Sequence, residues 1–293
     1  MKSILARAID VNEKFRFLII DSTNLIEEMN KIHSPAPTSI AALGRITTMA
    51  ALLSSDLKNE KDKLNIRIKG NGPAGLLLSE SNGLGHIKSY MDNPKADLPT
   101  RADGKLDVGG IVGHDGSLVV IRDYGIGEPY SGQTSLISGE IAEDFANYYY
   151  HSDQMPTVVS LGVLVDTDLS VKAAGGLFIQ ALPGYEDEDI DILENCLKNF
   201  PSISSLFAEK LSYEEIFEKY FKDLNIRILG TQEIEYKCNC SKEKMEKALI
   251  SIGKKDLKEI IEEDHRAELV CHFCNSKYEF NEEELRELLK EAK

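Results

Sequence analysis

The sequence contains no long hydrophobic run. None of its apolar stretches approaches the roughly 18 residues that a membrane-spanning helix needs. The opening residues 1–7 lack the uninterrupted apolar core of a secretory signal peptide. We therefore expect a cytoplasmic protein without a membrane partner.

Positive charge is also scarce. The 293 residues include 34 Lys and Arg against 49 Asp and Glu, which gives a formal net charge of -15. A surface of this sign repels phosphate backbones unless it carries a local basic patch, so we expect no nucleic-acid partner. Low-complexity segments and internal repeats are absent as well. A hydrophobic content of 42% with 28% charged residues is ordinary for a globular protein.

Familiar catalytic motifs are missing too. The sequence has no G-x-S-x-G elbow, no H-E-x-x-H helix and no Walker glycine-lysine loop. The segment 70–75, GNGPAG, matches the dinucleotide-binding fingerprint, but Gly83 and Gly85 interrupt the stretch where that fingerprint requires a helix. We interpret the segment as the turn of a hairpin, and we expect no enzymatic activity.

Only five cysteines are present, and four of them are grouped towards the C-terminal end. Cys238 and Cys240 form a C-x-C pair, and Cys271 and Cys274 form a C-x-x-C pair after thirty intervening residues. Each short turn can supply two thiolates, and a tetrahedral zinc ion takes four. The sequence therefore predicts one Zn²⁺ ion held by all four cysteines.

Two other residues, His272 and Cys196, are not assigned to this site. His272, inside the second pair, is an alternative ligand, but four sulfurs already complete a tetrahedral set. Cys196 has no cysteine nearby in sequence, and we interpret it as a small buried hydrophobic residue.

The sequence does not decide whether the zinc ion stabilises the fold as a structural staple, serves as a redox switch, or does both. Neighbouring thiols can oxidise, and proximity in sequence makes Cys238 with Cys240, and Cys271 with Cys274, the natural disulfide partners. A module this small needs the metal, because structural zinc contributes on the order of 10 kcal/mol of folding free energy. Our hypothesis is that peroxide expels zinc, unfolds this module and loosens the helices next to it.

The rest of the chain predicts an α+β fold with a mostly antiparallel sheet, packed helices, a helical linker and a small four-cysteine zinc domain. Period-2 runs separated by Gly, Pro and Asp indicate the strands, and longer 3.6-period stripes indicate the helices. The predicted domains are residues 1–184, a linker at 185–232, and a zinc domain at 233–293. In the first domain, strands are predicted at 4–10, 14–21, 64–69, 85–91, 106–112, 118–122, 157–166 and 171–182, and helices within 22–32, 37–53 and 139–151.

The linker contains an amphipathic helix that begins at a capping box of Ser212 and Glu215. Its apolar stripe packs on the main domain at rest, in our interpretation. The stripe consists of Tyr213, Ile216, Phe217, Tyr220 and Phe221.

The chain resembles the heat-shock protein 33 family of redox-regulated chaperones, also called 33 kDa chaperonins. The resemblance rests on the C-x-C and C-x-x-C pairs and on three blocks, IRIKGNGPAG, PYSGQTSLISGEIAEDFANYYYHSDQMPTVVSLGVLVD and AAGGLFIQALPG, and it covers essentially the whole chain. It implies an ATP-independent holdase that is inactive when reduced and zinc-bound. On oxidation such a protein forms the two disulfides, releases zinc, dimerises and binds unfolding client proteins.

Carried over to this sequence, the resemblance makes Cys238, Cys240, Cys271 and Cys274 both zinc ligands and redox-active residues. No motif marks the client-binding residues, and our choice is four residues of the linker stripe, Ile216, Phe217, Tyr220 and Phe221. The alternatives are an enzyme and a constitutive zinc adaptor or nucleic-acid-binding module that keeps its metal in peroxide.

Overall fold

The computed structural model describes residues 2–292 and divides into two compact units, Met1–Lys237 and Cys238–Lys293. Within the described residues, ten strands of the larger unit form one sheet. In chain order these are β1 (Ser3–Ile9), β2 (Phe15–Asp21), β3 (Lys63–Lys69), β4 (Leu76–Asn82), β5 (His86–Met91), β6 (Ser117–Asp123), β7 (Tyr130–Ser135), β8 (Thr157–Val165), β9 (Val171–Ala181) and β10 (Arg227–Tyr236).

The sheet is almost entirely antiparallel. Its strand order is β7-β6-β3-β4-β5-β10-β1-β2-β9-β8. The single parallel pairing among the described strands joins β10 to β5 over two residue pairs. The predicted hairpin of β1 and β2 forms, as does the hairpin of β3 and β4 around the GNGPAG turn. The α+β prediction is confirmed.

Seven α-helices of the described residues accompany this sheet. The longest has 15 buried residues out of 17 and begins at Pro37, whose fixed φ suits the first turn of a helix. The helices are α1 (Thr23–His33), α2 (Pro37–Leu53), α3 (Val108–Val112), α4 (Ala142–Tyr148), α5 (Asp187–Leu197), α6 (Ile203–Ala208) and α7 (Tyr213–Tyr220). After α4 the chain continues into one π-helical turn at Tyr149–Asp153.

The helices α5 to α7 lie in the larger unit, where they share a core with β1, β2 and β9. The ring of Phe17 on β2 contacts Phe217 and Phe221 edge to face, at centroid distances of 5.8 and 5.4 Å. Such contacts add to the free energy gained by burying the rings. The segment expected to be a linker is therefore packed on the sheet in this state, as we anticipated for the protein at rest.

Some local predictions were wrong. Residues 106–112 do not form a strand, because the side chain of Asp107 accepts a hydrogen bond from Gly110 N at 3.0 Å and caps the short helix α3. The strands β7 and β10 and the helix α6 were not predicted. Since β10 pairs with β1 and β5, residues 233–236 belong to the larger unit, and the division falls after Lys237 rather than at residue 233.

The smaller unit combines three helices with a two-stranded sheet in its described part. Its core is small and includes Leu257, Phe280 and Leu285. Asn281 and Glu284 form a capping box, each side chain accepting from the other's backbone N–H at 2.9 Å. The elements are α8 (Lys242–Ser251), α9 (Lys254–Glu263), β11 (Arg266–Val270), β12 (Lys277–Asn281) and α10 (Glu282–Glu291).

Candidate metal centre

Two turns of the smaller unit present the four cysteines. Cys238 and Cys240 precede α8, whose N-cap is Ser241. Cys271 and Cys274 lie in the connection between β11 and β12. There the N–H of Cys271 donates to Ser276 O at 2.9 Å, and the N–H of Asn275 donates to Cys271 O at 2.8 Å. These bonds fold the C-x-x-C turn so that both sulfurs lie on one side.

The structure brings the four sulfur atoms together within 4.8 Å of one another. Cys238 Sγ lies 3.7 Å from Cys271 Sγ, and Cys240 Sγ lies 3.3 Å from Cys274 Sγ. Zinc–sulfur bonds of about 2.3 Å in a tetrahedron put the sulfurs about 3.8 Å apart. Four converging thiols at nearly that spacing fit a tetrahedral metal ion.

The thiols differ in how readily they ionise. Burial raises the pKa of Cys238 and of Cys271. Burial also opposes ionisation of Cys274, but hydrogen bonds with Ser276, Cys240 and Cys271 together outweigh it and lower the pKa of Cys274 to about 7. Because metal ligation requires thiolates, binding of a cation at this site must displace protons from the buried sulfurs.

Two residues that the sequence reasoning did not select touch the sulfurs. The Tyr278 hydroxyl donates to Cys240 Sγ at 3.1 Å, and this bond is the main reason why the pKa of Tyr278 rises to about 12. Ser276 Oγ lies 3.2 Å from Cys274 Sγ. Outer contacts of this kind orient ligands in metal sites. Ser276 and Tyr278 could have been identified from the sequence because both follow Cys274 closely.

Among the residues that the structure describes, these cysteines are the one group placed to hold a metal ion, and His272 is not a member of it. Cys196 is partly buried on α5 and packs against the core shared by the helices α5 to α7. Burial raises the pKa of its thiol, in keeping with its interpretation as a small apolar residue.

The linker stripe is not exposed in this state. Ile216, Phe217 and Phe221 are buried, and Tyr220 is partly buried against the same core. The structure therefore shows these residues in a packing role.

In the described part of the chain, no helix has the length and apolar character needed to cross a bilayer.

Comparison with known proteins agrees with the fold and the cysteine cluster. Residues 3–281 match the family model described as Hsp33 protein. The chain is 46% identical over 289 residues to the 33 kDa chaperonin of Clostridium botulinum (strain Langeland), with 99% of this chain and 98% of that protein covered. It is also 46% identical over 291 residues to the 33 kDa chaperonin of Clostridium acetobutylicum, with the same coverage.

A solved structure shows the same architecture. The crystal structure of the 33 kDa chaperonin (heat shock protein 33 homolog) from Thermotoga maritima superposes with a TM-score of 0.89 at 38% sequence identity. The match covers 99% of this chain and 98% of the other. Taken with the converging cysteines, these similarities show that the chain belongs to the Hsp33 family of chaperones.

Proposed function

We propose that this chaperone is a redox-regulated, ATP-independent holdase that uses its cysteine cluster as the switch. In the reduced state Cys238, Cys240, Cys271 and Cys274 hold one Zn²⁺ ion, and the protein is inactive. Oxidation forms disulfides and releases the ion, after which the protein dimerises and binds unfolding proteins. The observation that carries the proposal is the convergence of four sulfurs within 4.8 Å.

The small core of the smaller unit supports a fold that depends on zinc, as the proposed switch requires. Six described residues make up its fully buried apolar cluster, one of them an alanine. A core of this size barely offsets the chain entropy lost on folding. Zinc would supply the missing free energy through thiolate ligation, so loss of the ligands would unfold the unit.

Hydrogen peroxide is the oxidant in the proposed oxidation of the thiols. Two thiols and one hydrogen peroxide give one disulfide and two water molecules, so two peroxide molecules consume all four thiols. We propose Cys238 with Cys240 and Cys271 with Cys274 as the pairs, because neighbours in sequence stay close after the unit unfolds. The sulfurs are also close between the turns, with Cys238 3.7 Å from Cys271 and Cys240 3.3 Å from Cys274. The crosswise pairing is thus the alternative that peptide mapping must exclude.

Chain continuity offers a route from the switch to the client surface. Strand β10 ends at Tyr236, two residues before Cys238, and it pairs with β1. On β1, the carbonyl of Ile4 accepts a hydrogen bond from Tyr213 of α7. Loosening β10 would therefore weaken the attachment of α7 and expose Ile216, Phe217, Tyr220 and Phe221 to clients.

The remaining features belong to the same proposal. The formal net charge of -15 disfavours a nucleic-acid partner. A cytoplasmic location agrees with the use of reduced thiols as zinc ligands, since that compartment keeps thiols reduced. A non-enzymatic role agrees with the chaperone family, and four thiolates leave no open position for a catalytic water.

The decisive experiment treats the reduced, zinc-loaded protein with peroxide at a mildly elevated temperature. A chelating dye reports zinc release, and light scattering reports the aggregation of a thermally unfolding client. We expect release and protection to appear together and to be reversed by dithiothreitol with zinc. Zinc retained in peroxide, or released without a gain in protection, would instead identify the site as a structural staple and would place the function in the larger unit.

A further inference from the structure

Tyr278 connects the apolar core of the smaller unit to the sulfur cluster. It lies on β12 opposite Leu269 of β11, and the burial along β12 alternates, so that Tyr278 and Phe280 share the inward face. The ring of Tyr278 packs against the small core that includes Phe280, while its hydroxyl donates to Cys240 Sγ at 3.1 Å. One side chain therefore has its ring in the core and its hydroxyl at the proposed metal site.

The hydrogen bond of Tyr278 joins the two cysteine turns. Cys240 belongs to the turn before α8, whereas Tyr278 follows the C-x-x-C turn, 38 residues further along the chain. The contact of Ser276 with Cys274 is local to one turn and can form with that turn alone. The Tyr278 bond forms only when the two turns have converged. It therefore stabilises the arrangement in which the four sulfurs meet.

The bond favours the form of Cys240 that ligates a cation. Metal ligation requires the thiolate, and a hydrogen bond to an ionised acceptor is about twice as strong as one between neutral groups. Because the ring of Tyr278 is held by the core, its hydroxyl also fixes the position of the sulfur. Outer contacts of this kind typically contribute about 10- to 100-fold to metal affinity.

The same bond affects the reaction of Cys240 with peroxide. In that reaction a lone pair of the sulfur attacks one oxygen of hydrogen peroxide, the O–O bond breaks and hydroxide leaves, which gives a sulfenic acid. The sulfenic acid then condenses with a second thiol to form a disulfide and one water molecule. A hydrogen bond that stabilises the thiolate also lowers its nucleophilicity, so the attack is slower.

We propose that Tyr278 is a positioning residue for Cys240, which strengthens metal binding at the sulfur cluster and slows its oxidation by peroxide. This role rests on the proposed function, since it makes one hydroxyl the determinant of the peroxide dose at which the switch operates. Once Cys240 enters a disulfide, its sulfur no longer accepts a charge-assisted hydrogen bond. Oxidation of this sulfur therefore weakens the contact between the two turns as well as the metal site.

The variant Tyr278→Phe removes the hydroxyl and keeps the ring in the core. The full-length, reduced protein is compared with the wild type and with Tyr185→Phe, which alters an exposed tyrosine of the larger unit. Competition with a chelating dye gives the zinc affinity, and we expect Tyr278→Phe to bind zinc at least about tenfold more weakly. Circular dichroism of the zinc-loaded proteins checks that the helices α8, α9 and α10 are intact.

Cobalt(II) in place of zinc separates an effect on the sulfur from a general loss of packing. Its ligand-field bands report the coordination geometry, and its thiolate-to-metal charge-transfer band reports the electron density on the sulfurs. At saturating cobalt we expect Tyr278→Phe to shift the charge-transfer band and to keep the ligand-field bands of a tetrahedral site. A tyrosine that acts only through packing would leave the charge-transfer band where it is in the wild type.

The effect on oxidation is measured as the rate of zinc release at several peroxide concentrations. The slope of this rate against concentration reports oxidation, whereas the rate without peroxide reports spontaneous dissociation of the ion. We expect the slope to be severalfold steeper in Tyr278→Phe than in the wild type, and unchanged in Tyr185→Phe.

Any of three outcomes for Tyr278→Phe would overturn the proposal. These are a zinc affinity equal to that of the wild type, an unmoved charge-transfer band, or a slope no steeper than that of a wild type that does release zinc in peroxide. A failure of the proposed function is distinguishable, because the wild type would then retain zinc in peroxide. In that event the zinc affinity and the cobalt spectrum still decide whether Tyr278 positions Cys240.

Discussion

The hydroxyl of Tyr213 on α7 accepts a hydrogen bond from the backbone N–H of Asp21 on β2 at 2.9 Å. The same hydroxyl donates to the carbonyl of Ile4 on β1. One side chain of the linker segment thus links two neighbouring strands of the sheet to the helix that carries the proposed client-binding stripe. This makes Tyr213 a natural place to weaken the attachment of that helix.

Tyr213→Phe should loosen α7 without changing the cysteines. The variant removes both hydrogen bonds and leaves the partly buried N–H of Asp21 without this partner, at a cost of about 1–3 kcal/mol. We expect faster proteolysis and faster hydrogen exchange in α7, and client protection at a lower peroxide dose. Tyr185→Phe, at a tyrosine that is 37% exposed, is the matched control. Unchanged exchange in α7 would show that the hydroxyl does not hold the helix.

Alkaline pH should loosen the same helix. Burial raises the pKa of Tyr213 to about 12 from an ordinary value of 10.0. Because the folded state favours the neutral phenol, this stabilisation is fully present below pH 10 and is lost as the pH rises towards 12. We expect the wild type to lose more stability than Tyr213→Phe between pH 9 and 11.5, measured by urea unfolding. Parallel losses in the two proteins would contradict this assignment.

Loss of a single sulfur should unfold the smaller unit. In Cys240→Ser the proposed zinc site has three thiolates, and we expect weaker zinc binding together with loss of helical circular dichroism from α8, α9 and α10. Chelation of zinc from the wild type should have the same effect. The control is Cys196→Ser, which lies on α5 outside the sulfur cluster. A folded smaller unit in zinc-free protein would show that its apolar core suffices.

Replacing Ile216 and Phe217 by serine should weaken client capture while leaving peroxide-driven zinc release unchanged. Both residues are buried in this structure, so the double variant should also detach α7 before oxidation. Each buried aliphatic or aromatic side chain that is lost costs about 2–5 kcal/mol. Tyr220→Ser, at a partly buried position, tests capture with less effect on packing. Capture that survives all three substitutions would place the client surface elsewhere.

Much of the secondary structure was predictable because local patterns and tertiary packing agree. Strands β1 and β2 are largely apolar runs of strand length around a short turn, and α2 carries a long apolar stripe after Pro37. The helix α10 begins after a local cap, the side chain of Asn281. The α+β class followed from these elements, since a sheet with apolar faces requires covering helices.

The segments that were missed depend on partners distant in sequence. Strand β10 lies between β1 and β5, more than 130 residues away along the chain, and only the assembled sheet offers it both edges. The helix α3 contains Gly109 and Gly110, which disfavour a helix. Its formation depends on the Asp107 cap and on burial of Val108, Ile111 and Val112. Neither circumstance is visible in a local window of residues.

For the site, the sequence by itself determined which residues could bind a metal, because two close cysteine pairs are a local and chemically specific pattern. Only the tertiary structure decided that the four sulfurs meet within 4.8 Å and that Tyr278 and Ser276 touch them. It also decided that the linker stripe is buried. The physical reason is the same throughout: burial, ionisation and hydrogen bonding depend on neighbours in space, which the order of residues does not specify locally.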